Sequence, residues 1–71
     1  MPTPLERFSR NLRAQRLRAG LSQEALGYEC ALHRTEISLL ERGGREPRLT
    51  TIVKLARALK IGPCELLAGI D

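Results

Sequence analysis

Apolar residues along this chain recur three and four positions apart, and no stretch alternates at every second position. That spacing predicts amphipathic helices packed along one face. The first helix spans about residues 4–19. Thr3 is placed as its N-cap, Pro4 as its first residue, and Glu6 completes a capping box. Leu5, Phe8 and Leu12 form its apolar stripe, and Gly20 ends it. Ser22 caps a second helix over about 23–30, with Leu21 placed to staple onto Leu26. A tight turn at Ala31 and Leu32 leads to a third helix over about 34–42, which Gly43 stops. After the loop Gly44–Pro47, a fourth helix covers about 49–60, with Leu49, Ile52, Val53, Leu55, Ala56 and Leu59 apolar. Pro63 opens a short fifth helix, about 63–68. The expected fold is all-α, a compact five-helix bundle forming one domain over residues 1–71.

Two charges interrupt the inward faces. The stripe Phe8, Leu12 continues to Arg16, and Ile37 on the third helix continues to Glu41. A lone buried charge costs several kcal/mol, about 3–5 when its partner is missing, so the two are expected to pair.

Composition narrows what such a chain can do. With 71 residues, 3% aromatic content and no Trp, the core must be Leu, Ile and Ala. A chain this short buries about 60% of its unfolded surface, which leaves no room for a deep catalytic cleft. No Ser/His/Asp set, paired carboxylates or Gly-rich phosphate loop is present, so the chain is not expected to be an enzyme. Cys30, Cys64 and His33 fall short of a four-ligand zinc site, and no metal or other cofactor is expected. The cysteines read as small reduced residues, since no secretory signal precedes the domain. No apolar run approaches the roughly 20 residues of a membrane span, so no membrane partner is expected and the expected compartment is the cytoplasm. The net charge is +4. Arginine supplies nearly all of the base, and its planar fork matches phosphate and guanine geometry.

The segment Gln23 to Arg42 carries the pattern of a helix-turn-helix. Leu26, Cys30, Leu32, Ile37 and Leu40 are the apolar set, Gly27 is the small residue at a close crossing, and Ala31 sits where a positive φ is wanted. Leu21-Ser22-Gln23-Glu24-Ala25-Leu26 and His33-Arg34-Thr35-Glu36-Ile37-Ser38-Leu39-Leu40-Glu41-Arg42-Gly43 resemble the Xre family, the Cro/C1-type helix-turn-helix domains. Pro47-Arg48-Leu49, Leu55-Ala56-Arg57-Ala58-Leu59 and Glu65-Leu66-Leu67 fit the same pattern, so the likeness covers about residues 9–69. Arg34 to Arg42 is also similar to the controller proteins of restriction-modification systems. The resemblance implies a lambda-repressor-like fold, an Arg16–Glu41 ion pair, and a homodimer on a two-fold symmetric DNA operator. Two positions depart from the family: Ala31 stands where Gly is common, and His33 caps the third helix where Ser, Thr or Asp is commoner.

The outward face of the third helix is Arg34, Thr35, Ser38, Leu39 and Arg42. Residues at the start of a recognition helix reach base edges in the major groove. Arg34 can fork onto guanine, Thr35 and Ser38 can make polar contacts, and Leu39 can meet a thymine methyl. Glu36 either accepts from cytosine N4 or steadies the helix start through its dipole. Gln23 with free backbone N–H groups should hold a phosphate, and Arg42, Arg45 and Arg48 are candidates for the DNA backbone. Ile61, Pro63, Leu66, Leu67 and Ile70 are more apolar surface than a short last helix needs, and are expected at a homodimer interface. The function expected is transcriptional regulation of a specific DNA site, as repressor or activator. RNA polymerase would then be a partner, with Glu24 and Glu29 as candidate parts of its surface. The competing reading is an antitoxin-type module that also binds a toxin protein.

Overall fold

Five helices follow one another, α1 Pro4–Arg18, α2 Gln23–Cys30, α3 Arg34–Glu41, α4 Leu49–Leu59 and α5 Pro63–Leu66, with no strand between them. The structure is a computed structural model describing every residue from Met1 to Asp71. Side-chain caps start α1 and α2. At α1, Thr3 Oγ1 accepts from the Glu6 N–H at 3.1 Å, while Glu6 Oε1 accepts from the Thr3 N–H at 2.7 Å. That reciprocal box holds the Glu6 carboxyl below its ordinary value, chiefly through the Thr3 backbone N–H. Ser22 Oγ caps α2 by accepting from the Ala25 N–H at 3.0 Å.

Four helices end the same way. After each last turn one residue adopts a left-handed conformation: Gly20, Ala31, Gly43 and Lys60. The next residue's N–H then reaches back five positions, as in Leu32 N to Gly27 O (2.8 Å) and Ile61 N to Ala56 O (3.0 Å). This is the Schellman closure, in which the residue after the left-handed one also makes an apolar contact. Leu21, Leu32 and Ile61 occupy that place, and all three pack on the core.

The core itself draws on every helix. Phe8 and Leu12 come from α1, Leu26 and Cys30 from α2, Ile37 and Leu40 from α3, Leu55, Ala56 and Leu59 from α4, and Leu66 from α5. Helix α2 packs on α3 and α4, while α1 packs on α3 and α5. The radius of gyration is 10.7 Å, close to the roughly 11 Å of a compact chain this long.

Three expectations from the sequence need correction. Leu66, placed at a subunit interface, is fully buried within this chain, because α5 lays it against α1 and α4. Ile61 and Ile70, from the same C-terminal set, pack on that core too but stay half-buried, each keeping part of its surface open. Leu49 lies on the α4 stripe one heptad before buried Ala56, yet it is 76% exposed at the helix start. Periodicity names the face of a helix but not how far the core extends along it. Helix α5 also stops two residues early. There Asn11 Nδ2 donates to the Leu66 and Ala68 carbonyls, both at 2.9 Å, and draws the chain onto α1.

Candidate nucleic-acid interface

Helices α2 and α3 form a unit joined by Ala31, Leu32 and His33. The unit closes at Gly27, where an added Cβ would lie 2.4 Å from the Leu32 carbonyl oxygen. Only glycine lets α2 come this near the turn. His33, an uncommon cap, works here through its ring: Nδ1 accepts from the Thr35 N–H at 3.0 Å. Such an acceptor needs a neutral imidazole with its proton on Nε2. Helix α3 therefore begins at Arg34, where the sequence placed it, despite the departure from the family's usual cap.

Ile37 and Leu40 are fully buried, which fixes how α3 is rotated. The opposite face carries Arg34, Thr35 and Arg42 exposed, with Ser38 and Leu39 half-buried. Leu39 is partly covered by Gly44, whose added Cβ would sit 3.2 Å from Leu39 Cδ2. Arg42 bends back so that its Nε donates to the Ser38 carbonyl at 3.4 Å, near the end of α3. Arg48 is exposed at the N-cap of α4 and makes no side-chain cap bond there.

Beneath that face lies the ion pair. Arg16 Nε donates to Glu41 Oε2 at 2.6 Å and Arg16 Nη2 to Glu41 Oε1 at 3.1 Å, with the two side chains 10% and 4% exposed. The guanidinium also donates from Nη1 to the Leu21 carbonyl at 2.9 Å. The hydrogen bonds to Glu41 raise the Arg16 pKa above its ordinary value against the opposing effect of burial. No buried side-chain nitrogen or oxygen is left without a hydrogen-bond partner, the condition under which such a pair is tolerable. Ser9 adds a second tie between α1 and α3, its Oγ donating to the Leu40 carbonyl at 2.7 Å.

Two contacts escape sequence reasoning. Arg45 Nη1 donates to Glu36 Oε1 at 2.9 Å, so the loop after α3 is tied to the first turn of that helix. Glu36 thus has a partner that neither sequence alternative supplied. Gln23 Nε2 donates to Glu41 Oε1 at 3.2 Å, so the amide is engaged with the ion pair. No sequence signal marks either, since both contacts join groups from different turns of the fold. The cysteines divide: Cys64 is exposed, and Cys30 is buried among apolar groups that push its thiol pKa up. No helix is long and apolar enough to cross a membrane.

Comparison with known proteins places this geometry. The control protein C.BamHI of Bacillus amyloliquefaciens is 46% identical over 61 residues, covering 84% of this chain and 75% of that protein. The solved structure of the restriction-modification controller protein C.AhdI from Aeromonas hydrophila superposes with a TM-score of 0.85 at 45% identity, covering 87% of this chain and 94% of that one. The hypothetical transcription factor NHTF from Neisseria superposes with a TM-score of 0.88 at 35% identity, covering 92% of this chain and 75% of that one. The pattern of the family HTH_3, described as Helix-turn-helix, matches residues 12–66. With that match across most of its length and the α2–turn–α3 geometry above, the chain belongs to the HTH_3 helix-turn-helix family.

Proposed function

We propose that this chain is a sequence-specific DNA-binding transcriptional regulator of the restriction-modification controller type. It works as a homodimer on a two-fold symmetric site, with α3 in the major groove. One observation carries the reading: burial of Ile37 and Leu40 turns Arg34 and Thr35 outward at the start of α3, in a chain 46% identical to a control protein. Arg34, Thr35, Ser38 and Leu39 contact bases. Gln23, Arg42, Arg45 and Arg48 contact the DNA backbone, where positive charge supplies affinity without sequence information. The reading assigns no reaction and places the protein in the cytoplasm, beside the DNA.

A dimer surface is drawn from Pro63 and Leu67, the exposed remainder of the C-terminal apolar set. Leu67 borders a shallow apolar groove lined by Leu5, Ile52 and Ile70, which extends that surface. RNA polymerase is a further proposed partner, met by the outer face of α2, where Glu24 and Glu29 are exposed. The relatives reported above are named as control proteins or a transcription factor, and none as an antitoxin, which favours the regulator over the toxin-binding alternative.

Selection of bound sequences from a random duplex library tests the reading. The wild-type chain should return a two-fold symmetric consensus. Arg34→Ala should relax one base position per half-site, with a loss of about 1–3 kcal/mol there. Retention of the parent consensus by Arg34→Ala would remove that residue from base recognition.

A further inference from the structure

The Glu41 carboxylate serves a group beyond its arginine. Its Oε1 accepts from both Arg16 Nη2 and Gln23 Nε2, at 3.1 and 3.2 Å, while Oε2 is taken by Arg16 Nε. We infer that Glu41 is a positioning residue for DNA-backbone binding, because it decides which end of the Gln23 amide faces a phosphate. The inference rests on the reading of Gln23 as a backbone contact.

An amide side chain has two unlike ends. Its oxygen only accepts and its nitrogen donates twice. A phosphate oxygen only accepts, so the Gln23 oxygen is useless to it. Left free, the side chain would present either end and would lose rotamer freedom on binding. A carboxylate accepts as well, so Glu41 draws the nitrogen end toward itself. One Nε2 hydrogen is then spent on Oε1, and the second remains on the same nitrogen for an incoming phosphate. Gln23 is the first residue of α2, and neither its backbone N–H nor that of Glu24 has an acceptor within the protein. Side chain and backbone therefore offer donors at one helix start, which suits an anion.

The ion pair also sets where that phosphate site stands relative to α3. Arg16 Nη1 holds the Leu21 carbonyl, two residues before Gln23, while its other nitrogens hold Glu41, the last residue of α3. The guanidinium thus ties the entry to α2 to the end of the helix that reads bases. Its charge neutralises Glu41, so a carboxylate can stand behind the phosphate site without repelling the DNA.

A double-mutant cycle on DNA binding separates this role from a merely structural one. Gln23→Ala, Glu41→Gln and the pair would be titrated against the wild-type consensus duplex, at a temperature where circular dichroism shows each fully helical. Gln23→Ala alone should weaken binding about tenfold. In the Glu41→Gln background the same substitution should cost less than twofold, since an amide at 41 offers a donor as readily as an acceptor and no longer sets the Gln23 orientation. Equal effects in both backgrounds would overturn the inference while leaving Gln23 as a contact. No effect of Gln23→Ala in the wild type would overturn the backbone reading, and the inference with it. Side-chain amide relaxation on the free wild-type protein needs no variant to fold. An ordered Gln23 amide, with an order parameter near the backbone's roughly 0.85, supports the inference, and a value below about 0.6 overturns it.

Discussion

Ala31 stands at φ 59° and ψ 37°, a conformation that brings Cβ close to the following carbonyl. Glycine adopts it freely, and the turn between α2 and α3 needs it for the Leu32 N–H to reach Gly27. Lys60, at φ 58°, carries the same strain at the end of α4. Ala31→Gly should therefore stabilise the chain by about 1 kcal/mol, raising the urea midpoint without changing the slope. A lowered midpoint would show that the glycine's added freedom in the unfolded chain outweighs the relieved strain. His33 shows the opposite case, an uncommon residue that performs its local role without strain, its Nδ1 taking the place of a serine oxygen.

At the scale of elements, one close approach governs the motif. Helix α2 can lie against the turn only because Gly27 has no side chain, and the obstacle to any other residue is backbone, not a side chain that could swing away. Gly27→Ala should destabilise the chain by about 1–3 kcal/mol, the usual cost of overpacking, although alanine is the better helix former. Thermal unfolding followed at 222 nm checks the sign, and an unchanged or raised Tm would mean that the turn yields. The same substitution should weaken DNA binding at temperatures where the variant stays folded, since a displaced turn moves the start of α3. The shared closures of α1 to α4 work alongside this approach. Each one tucks a following residue back, and at α1, α2 and α4 that residue is apolar and joins the core.

For the whole molecule, stability is expected at about 4–10 kcal/mol, the usual 0.05–0.15 per residue. Each fully buried leucine contributes about 2 kcal/mol of that balance, so Leu66 is held by the core of its own chain and is not available to a partner. The apolar surface left at the C-terminal end is narrower than the sequence suggests, centred on Pro63 and on Leu67, which is 39% exposed. Sedimentation equilibrium at tens of micromolar should still give the mass of a dimer, and Leu67→Glu should shift it toward the monomer while leaving the helical signal intact. A wild-type monomer at high micromolar concentration would reject the dimer. Two copies joined there would set their α3 helices on successive major grooves, about 34 Å apart.

The sequence by itself determined the features that local physics controls. Capping oxygens at Thr3 and Ser22, prolines at 4 and 63, and apolar spacing placed the helix starts and the rotation of α3, while glycines at 20 and 43 marked two helix ends. The inward run of Ile37 to Glu41 and of Leu12 to Arg16 pointed to a charge pair because a buried charge needs a partner, and the fold brings the two together. Tertiary structure alone decided the rest. Whether Leu49 and Leu66 are covered depends on where neighbouring helices end, which no periodicity records. Gln23 and Glu41 are 18 positions apart, and Arg45 and Glu36 are 9 apart across a turn. Such pairs meet only after the core has set the angle between helices, so their hydrogen bonds leave no trace in the order of residues.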